Sequence, residues 1–254
     1  MGAGHVHKLY RHGHTPVHRL PAHVKLVALL GFVVVVVANP REAFWAFGVY
    51  AALLVGVAVL ANVPAPFVLR RMVVEIPFVV FALLLPFLAA GERVDVLGLS
   101  LSSEGMLAGW NILAKGTLGV VASILLAATT DARSLLLALQ RLRVPPVLVE
   151  ITSFMVRYAD VITDEMRRMK IARESRGFEG NGRKQLGVVA TSAGALFIRS
   201  YERGERVHLA MLSRGYGGSL PVLDVQQAHA AQWVGAAVVP FSALVVAVLA
   251  WMSL

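Results

Sequence analysis

The sequence predicts an all-α membrane protein of about five transmembrane helices plus long cytoplasmic helices, and three observations predict it. Of its 254 residues, 57% are hydrophobic and the mean hydropathy is +0.69, against roughly 45–50% apolar residues in a soluble domain. The apolar residues fall in runs nearly free of charge, and a helix needs about 20 of them to cross about 30 Å of hydrocarbon. The 24 Lys and Arg outnumber the 15 Asp and Glu and gather between those runs, the pattern that orients a chain across a bilayer.

Residues 1–23 form a polar, basic leader holding six of the eight histidines: His5, His7, His12, His14, His18 and His23. It is expected to be cytoplasmic and partly mobile, and no removable signal peptide is read behind it. Residues 24–128 should contain four spans. The first, about 24–38, stops at Asn39-Pro40-Arg41, because proline lacks an N–H and restricts the residue before it. The second covers about 43–61. After the proline-dense Val63-Pro64-Ala65-Pro66, Arg70 and Arg71 mark a cytoplasmic loop, and a third span runs about 72–90. The segment GERVDVLGLSLSSE is the least basic connection and should be an outward loop before the fourth span, about 105–128. Pro77, Pro86 and Pro240 should kink the spans that hold them.

Residues 129–227 are the longest hydrophilic region, with 15 Lys or Arg against 10 Asp or Glu in 130–227. The last span, about 230–252, lies within 228–254. Five spans then leave every basic connection and the N-terminus on the cytoplasmic side of the inner membrane. Inside the long region, Thr129-Thr130-Asp131 offers an N-cap. Leu135, Leu136, Leu139 and Leu142 share one face of a short helix that Pro145-Pro146 ends. A second helix should run from Pro146 to about Ser175, its apolar residues recurring at helical spacing.

The most informative feature is a repeat. Residues 172–180 (ARESRGFEG) return 38 positions later as residues 210–218 (AMLSRGYGG), sharing Ala-x-x-Ser-Arg-Gly-aromatic-x-Gly. Gly177 and Gly215 suit a left-handed residue closing a helix, which places Arg176 and Arg214 in the last turn, near free carbonyls. One such end is an ordinary glycine cap. Two with matching serine, arginine and aromatic suggest a duplicated docking element for a partner with two equivalent grooves.

Other chemistry is sparse. The absence of cysteine excludes disulfides, thiolate nucleophiles and Cys-ligated metal. There is no G-x-x-x-x-G-K-[ST], H-E-x-x-H or G-x-S-x-G, so no catalytic residues are named and a lipid enzyme is a weak alternative. Although the pI is near 10.5, repeated apolar 20-mers and the lack of interleaved aromatics argue against nucleic acid. A secondary transporter should repeat its membrane halves, whereas this repeat lies between spans. The leader histidines could hold Co²⁺ or Ni²⁺, but a solvated leader explains them as well, and no metal site is assigned. Lys115 lies near mid-span, where an ionisable group is a functional candidate; it should snorkel or meet a carboxylate. Glu75, one turn inside the cytoplasmic edge, should pair with Arg70 or Arg71.

The paired Ser-Arg-Gly tips, with the leader PVHRLPAHVKL, the SSEGM entry to the fourth span, LLAATTDARSLLLALQRLRVP and FMVRYADVITDEMRRMKIARESRG, resemble the transmembrane T components of energy-coupling-factor transporters. Within these the chain is most similar to the cobalt transport protein family CbiQ. Serine stands where that family more often has alanine before each arginine. The resemblance implies a non-catalytic subunit that couples two ATP-binding-cassette ATPases to a membrane-embedded substrate-capture (S) subunit. ATP and magnesium would be bound by the ATPases and no cofactor by this chain. It implies an ATPase-coupling role for Ser175, Arg176, Gly177 and Phe178 and for Ser213, Arg214, Gly215 and Tyr216. The cargo it implies is cobalt(II), with nickel or a vitamin such as biotin as alternatives.

Overall fold

The computed structural model describes residues 10–90, 93–96, 99–177, 183–218 and 228–253. Two units result, one of Leu9–Ala138 with Gln226–Leu254 and the other built on Leu139–Val225. The first carries α1 (Pro16–Arg19), α2 (Ala22–Ala38), α3 (Phe44–Leu60), α4 (Ala65–Arg71), a 3₁₀ turn (Met72–Glu75), α5 (Ile76–Leu88), strands β1 (Arg93–Val96) and β2 (Leu99–Ser102), α6 (Ser103–Thr129), most of α7 (Ala132–Arg141), and α10 (Ala230–Met252). The second carries α8 (Pro146–Glu174) and α9 (Arg183–Leu212).

Apolar helices stand at all five expected places. Ala65–Leu88, Ser103–Thr129 and Ala230–Met252 are long and apolar enough to cross a bilayer, while Ala22–Ala38 and Phe44–Leu60 are shorter, at 17 residues each. The third span begins earlier than position 72, because Pro64 and Pro66 open α4 instead of blocking it; proline in a first turn removes an N–H that had no partner. Pro77, in the first turn of α5, has no N–H to continue the ladder, and the tighter turn Met72–Glu75 precedes it. Glu75 therefore lies at mid-span and not near an edge.

Glu75 is 3% exposed and accepts a hydrogen bond from the Thr117 hydroxyl of α6, a donor not foreseen beside Arg70 and Arg71. The Arg71 guanidinium stands 3.5 Å from the ring centre of Phe67.

α5 and α6 pack antiparallel at close range through glycine. A Cβ on Gly105 would come within 2.7 Å of Leu85 O, and one on Gly109 within 2.7 Å of Ala82 O. Pro86 cannot donate to Ala82 O, so the carbonyl it leaves free is the one that faces Gly109. This is the small-residue packing of membrane helices, where backbones approach because no side chain intervenes.

α2 and α6 also run antiparallel, and two lysines join them reciprocally. Lys25 of α2 donates to Thr129 O (2.8 Å) and Thr130 Oγ1 (3.3 Å) at the end of α6, and to His18 O (3.4 Å). Lys115 of α6 donates to Val37 O (2.7 Å) and Asn39 O (2.9 Å) at the end of α2. Each ammonium thus meets the negative end of a neighbouring helix in place of the carboxylate or the snorkelling expected of Lys115. Trp251 Nε1 donates to Ala38 O at 3.3 Å, and the buried Tyr50 hydroxyl to Asn39 Oδ1 at 3.0 Å.

The segment expected to be a loop before α6 contains an antiparallel hairpin, with Val94 opposite Leu101 and Val96 opposite Leu99. The leader is held from residue 10 onward: Arg11 N–H donates to Ala128 O at 2.9 Å. α7 begins as expected, with Asp131 Oδ2 accepting from Ser134 N–H at 3.1 Å. It ends sooner than the leucine stripe suggested. Leu136 is buried but Leu142 is 37% exposed, and Arg143 is left-handed at φ 62°.

Gly109→Val should destabilise the membrane unit by about 1–3 kcal/mol, the usual cost of overpacking. Gly116→Ala, whose methyl would sit 3.5 Å from Glu75 Oε1, should be tolerated. Thermal unfolding in detergent distinguishes the two, and equal midpoints for Gly109→Val and the parent chain would contradict the close packing.

Candidate functional site

The two Ser-Arg-Gly segments end α8 and α9 with matching backbone bonds. In the first, Ser175 N–H donates to Ile171 O (2.9 Å), Arg176 N–H to Arg173 O (3.1 Å) and Gly177 N–H to Glu174 O (3.0 Å). In the second, Ser213 N–H donates to Leu209 O, Arg214 N–H to Met211 O and Gly215 N–H to Leu212 O, each at 3.0 Å. Gly177 has φ 73° and Gly215 φ 83°, conformations that cost a residue with a Cβ roughly 1 kcal/mol or more. Tyr216 N–H reaches back to Met211 O at 3.0 Å, completing with the Gly215 bond the paired pattern of a Schellman cap. Phe178, the corresponding aromatic, lies outside the described residues.

Each serine hydroxyl folds back on its own helix, Ser175 Oγ to Ala172 O (3.1 Å) and Ser213 Oγ to Ala210 O (3.0 Å). A serine turned inward in this way presents much the surface of an alanine. Arg176 and Arg214 are exposed, and neither guanidinium forms a hydrogen bond or ion pair among the described residues. Tyr216 is half-buried; its hydroxyl donates to Glu150, and that bond holds the phenol above its ordinary pKa.

The tips do not come together. Arg173 of α8 bonds Ser192 of α9, Glu165 meets Arg199 and Arg203 at 3.2 Å each, and Glu150 meets Tyr216. Partners that climb one helix while descending the other define an antiparallel pair. With Arg173 opposite Ser192, the tip closing α8 stands about two turns inside the start of α9, and the second tip where α9 ends. About 25 residues of α9 then lie between the tips, roughly 37 Å at 1.5 Å per residue.

These braces were not singled out in the sequence. The signal available was Arg199 and Arg203, four apart and so on one helical face, opposite Glu165 in the other long helix. Each Glu165 oxygen takes one guanidinium, and Arg199 is the first cause that holds this carboxyl below its ordinary value.

The leader offers little to a metal. His18 Nε2 lies 3.1 Å from Arg11 O and must donate to it, so Nδ1 accepts from the Thr15 hydroxyl at 2.7 Å. Burial favours this neutral form by lowering the His18 pKa. Among the described residues no three His, Asp or Glu side chains are grouped to hold an ion; His5 and His7 lie outside them.

The Glu165 brace gives a pH dependence. Its contribution is complete above the ordinary carboxyl value of 4.5 and is lost as pH falls through the lowered folded value. Glu165→Gln should therefore unfold at a lower temperature than the parent chain above that value, and the two midpoints should converge in acid. A gap that persists in acid would show that the ion triad is not its source.

A family model described as cobalt transport protein, CbiQ, matches residues 13–223. An uncharacterised protein of Methanocaldococcus jannaschii is 31% identical over 52% of this chain and 50% of its own length. The cobalt transport protein CbiQ of Rhodobacter capsulatus is 29% identical over 70% of this chain and 73% of its own. The energy-coupling factor transporter transmembrane protein EcfT of Staphylococcus aureus is 28% identical over 83% of each. The chain spans little more than half the length of the Methanocaldococcus relatives it matches.

Proposed function

The chain belongs to the cobalt transport protein family CbiQ, and from that membership we propose that it is the transmembrane coupling subunit of an energy-coupling-factor importer. Its relatives are membrane components of transporters, and its own apolar helices suit a membrane protein. In this reading two ATP-binding-cassette ATPases, which bind ATP and magnesium, dock on the Arg176 and Arg214 tips. Their closing moves the α8–α9 pair, and that motion is passed to an S subunit that captures the solute.

The observation that carries the reading is the pair of matching arginine tips held at opposite ends of one braced antiparallel pair. A two-fold partner presents two equivalent grooves a fixed distance apart, and one asymmetric chain can fill both only with a duplicated element at matching separation. Left-handed Gly177 and Gly215 end each helix so that the arginine before them is presented with no described partner of its own. Cation-to-carboxylate or cation-to-carbonyl bonds to the ATPases would use those guanidiniums. The tips and the leader would face the cytoplasm, with the chain in the inner membrane.

Cobalt(II) is the proposed cargo, on the names of the family and of the Rhodobacter relative. Nickel and vitamins such as biotin are the rivals, and the ion or vitamin retained by the membrane protein that copurifies with this chain separates them.

Arg176→Glu with Arg214→Glu should abolish ATP-driven uptake and weaken copurification of the ATPases, while the chain stays in the membrane. Unchanged uptake in the double variant would end the coupling assignment. The purified chain alone, having no phosphate loop, should hydrolyse no ATP; turnover that survives removal of contaminating ATPases would overturn that part of the reading.

A further inference from the structure

The membrane unit holds a partly open cavity of about 180 Å³ among α1, α2, α3, α6 and α10 that the coupling tips do not involve. Phe32, Leu54 and Leu125 are among its walls, and its polar lining residues are Lys25 and Thr129. Both are already satisfied. Lys25 Nζ donates to three oxygens, one of them Thr129 O, and the Thr129 hydroxyl donates to Leu125 O at 2.9 Å. A water held in such a space needs two to four polar partners, whereas a dry cavity of roughly 150 Å³ accepts a molecule as large as benzene. The chemistry of the walls therefore selects an apolar occupant.

The lining extends to the surface at Leu60, which is 62% exposed, and at Gly235, also exposed. These residues belong to α3 and α10, two apolar helices whose neighbours in a membrane are acyl chains.

Charge at the same end of the unit specifies the headgroup. Among the described residues Arg11 precedes α1, Arg19 closes it, Arg70 and Arg71 close α4, and Arg133 stands in the first turn of α7, just beyond the end of α6 and Asp131. Two of these cations are organised. Arg11 N–H is tied to Ala128 O, one residue from the cavity's Thr129. Its guanidinium stands 5.5 Å from the centre of the Phe67 ring, and that of Arg71 stands 3.5 Å from the same ring. Two guanidiniums held on one aromatic beside an apolar recess suit a phosphate that carries a hydrocarbon tail.

We propose that this unit holds one anionic phospholipid, with an acyl chain in the cavity and its phosphate beside Arg11 and Arg71. The test is native mass spectrometry of the full chain extracted in mild detergent and exchanged against phosphatidylglycerol or phosphatidylcholine. The unaltered chain should retain one phosphatidylglycerol in preference to phosphatidylcholine, and this comparison needs no variant to fold. A Cβ on Gly235 would meet nothing within 4 Å, so Gly235→Leu should fill the cavity and lose both lipids, with circular dichroism verifying its helices. Arg11→Gln should keep a lipid while its preference falls to parity. A parent chain that retains no lipid, or retains both equally, overturns the proposal. So does a folded Gly235→Leu that carries phosphatidylglycerol as the parent does.

Discussion

A carbonyl or an ammonium in hydrocarbon has no water to turn to, and the membrane unit is organised around meeting that constraint within the chain. The ends of α2 and α6 would each leave carbonyls unpaired. Lys115 and Lys25 supply the missing donors in opposite directions, so the same contacts that satisfy the helix ends also give the ammonium groups their acceptors. The positive charge of one helix meets the negative end of the other at both places, with Lys25 buried and Lys115 half-buried, and the two contacts fix the antiparallel register of the pair. Trp251 and Tyr50 extend the arrangement to α10 and α3. Glu75 is met in the same spirit by a hydroxyl of α6.

The second unit solves a different problem, which is to hold two helices of 29 and 30 residues in register. Large apolar side chains on α8 and α9, including Met155, Phe197 and Tyr201, stay more than half exposed, so their packing alone does not hold the pair. Specific bonds at three levels fix its register instead: Arg173 to Ser192, Glu165 to its two arginines, and Glu150 to Tyr216. Exposed ion pairs are individually weak. Here one carboxylate bridges two arginines a turn apart, a geometry in which slipping either helix by a turn would keep at most one of the two bonds.

Much of this was legible in the sequence. Long apolar runs and the basic connections between them locate all five apolar helices, and the last run, about 230–252, matches α10 at Ala230–Met252. The glycines of the repeat were readable as left-handed because a Cβ is costly there. What failed did so for identifiable reasons. Pro64 and Pro66 do separate α3 from α4, but proline is also at home in a first turn, so the apolar helix starts at Ala65, takes in Arg70 and Arg71, and puts Glu75 near its middle. Strands β1 and β2 lie in a segment whose charge, and not its alternation, sets the expectation of a loop. The roles of Lys25 and Lys115 depend on which helix end lies opposite, a question that one helix's sequence does not contain.

The separation of the two arginine tips along one stiff pair has a mechanical consequence. Opposed pulls at the ends of a rod turn it about a point between them, while matched pulls carry it sideways. A partner that shuts on both ends would turn the pair only through the part of its motion that crosses the helix axes in opposite senses; the part directed along them would load the pair in compression.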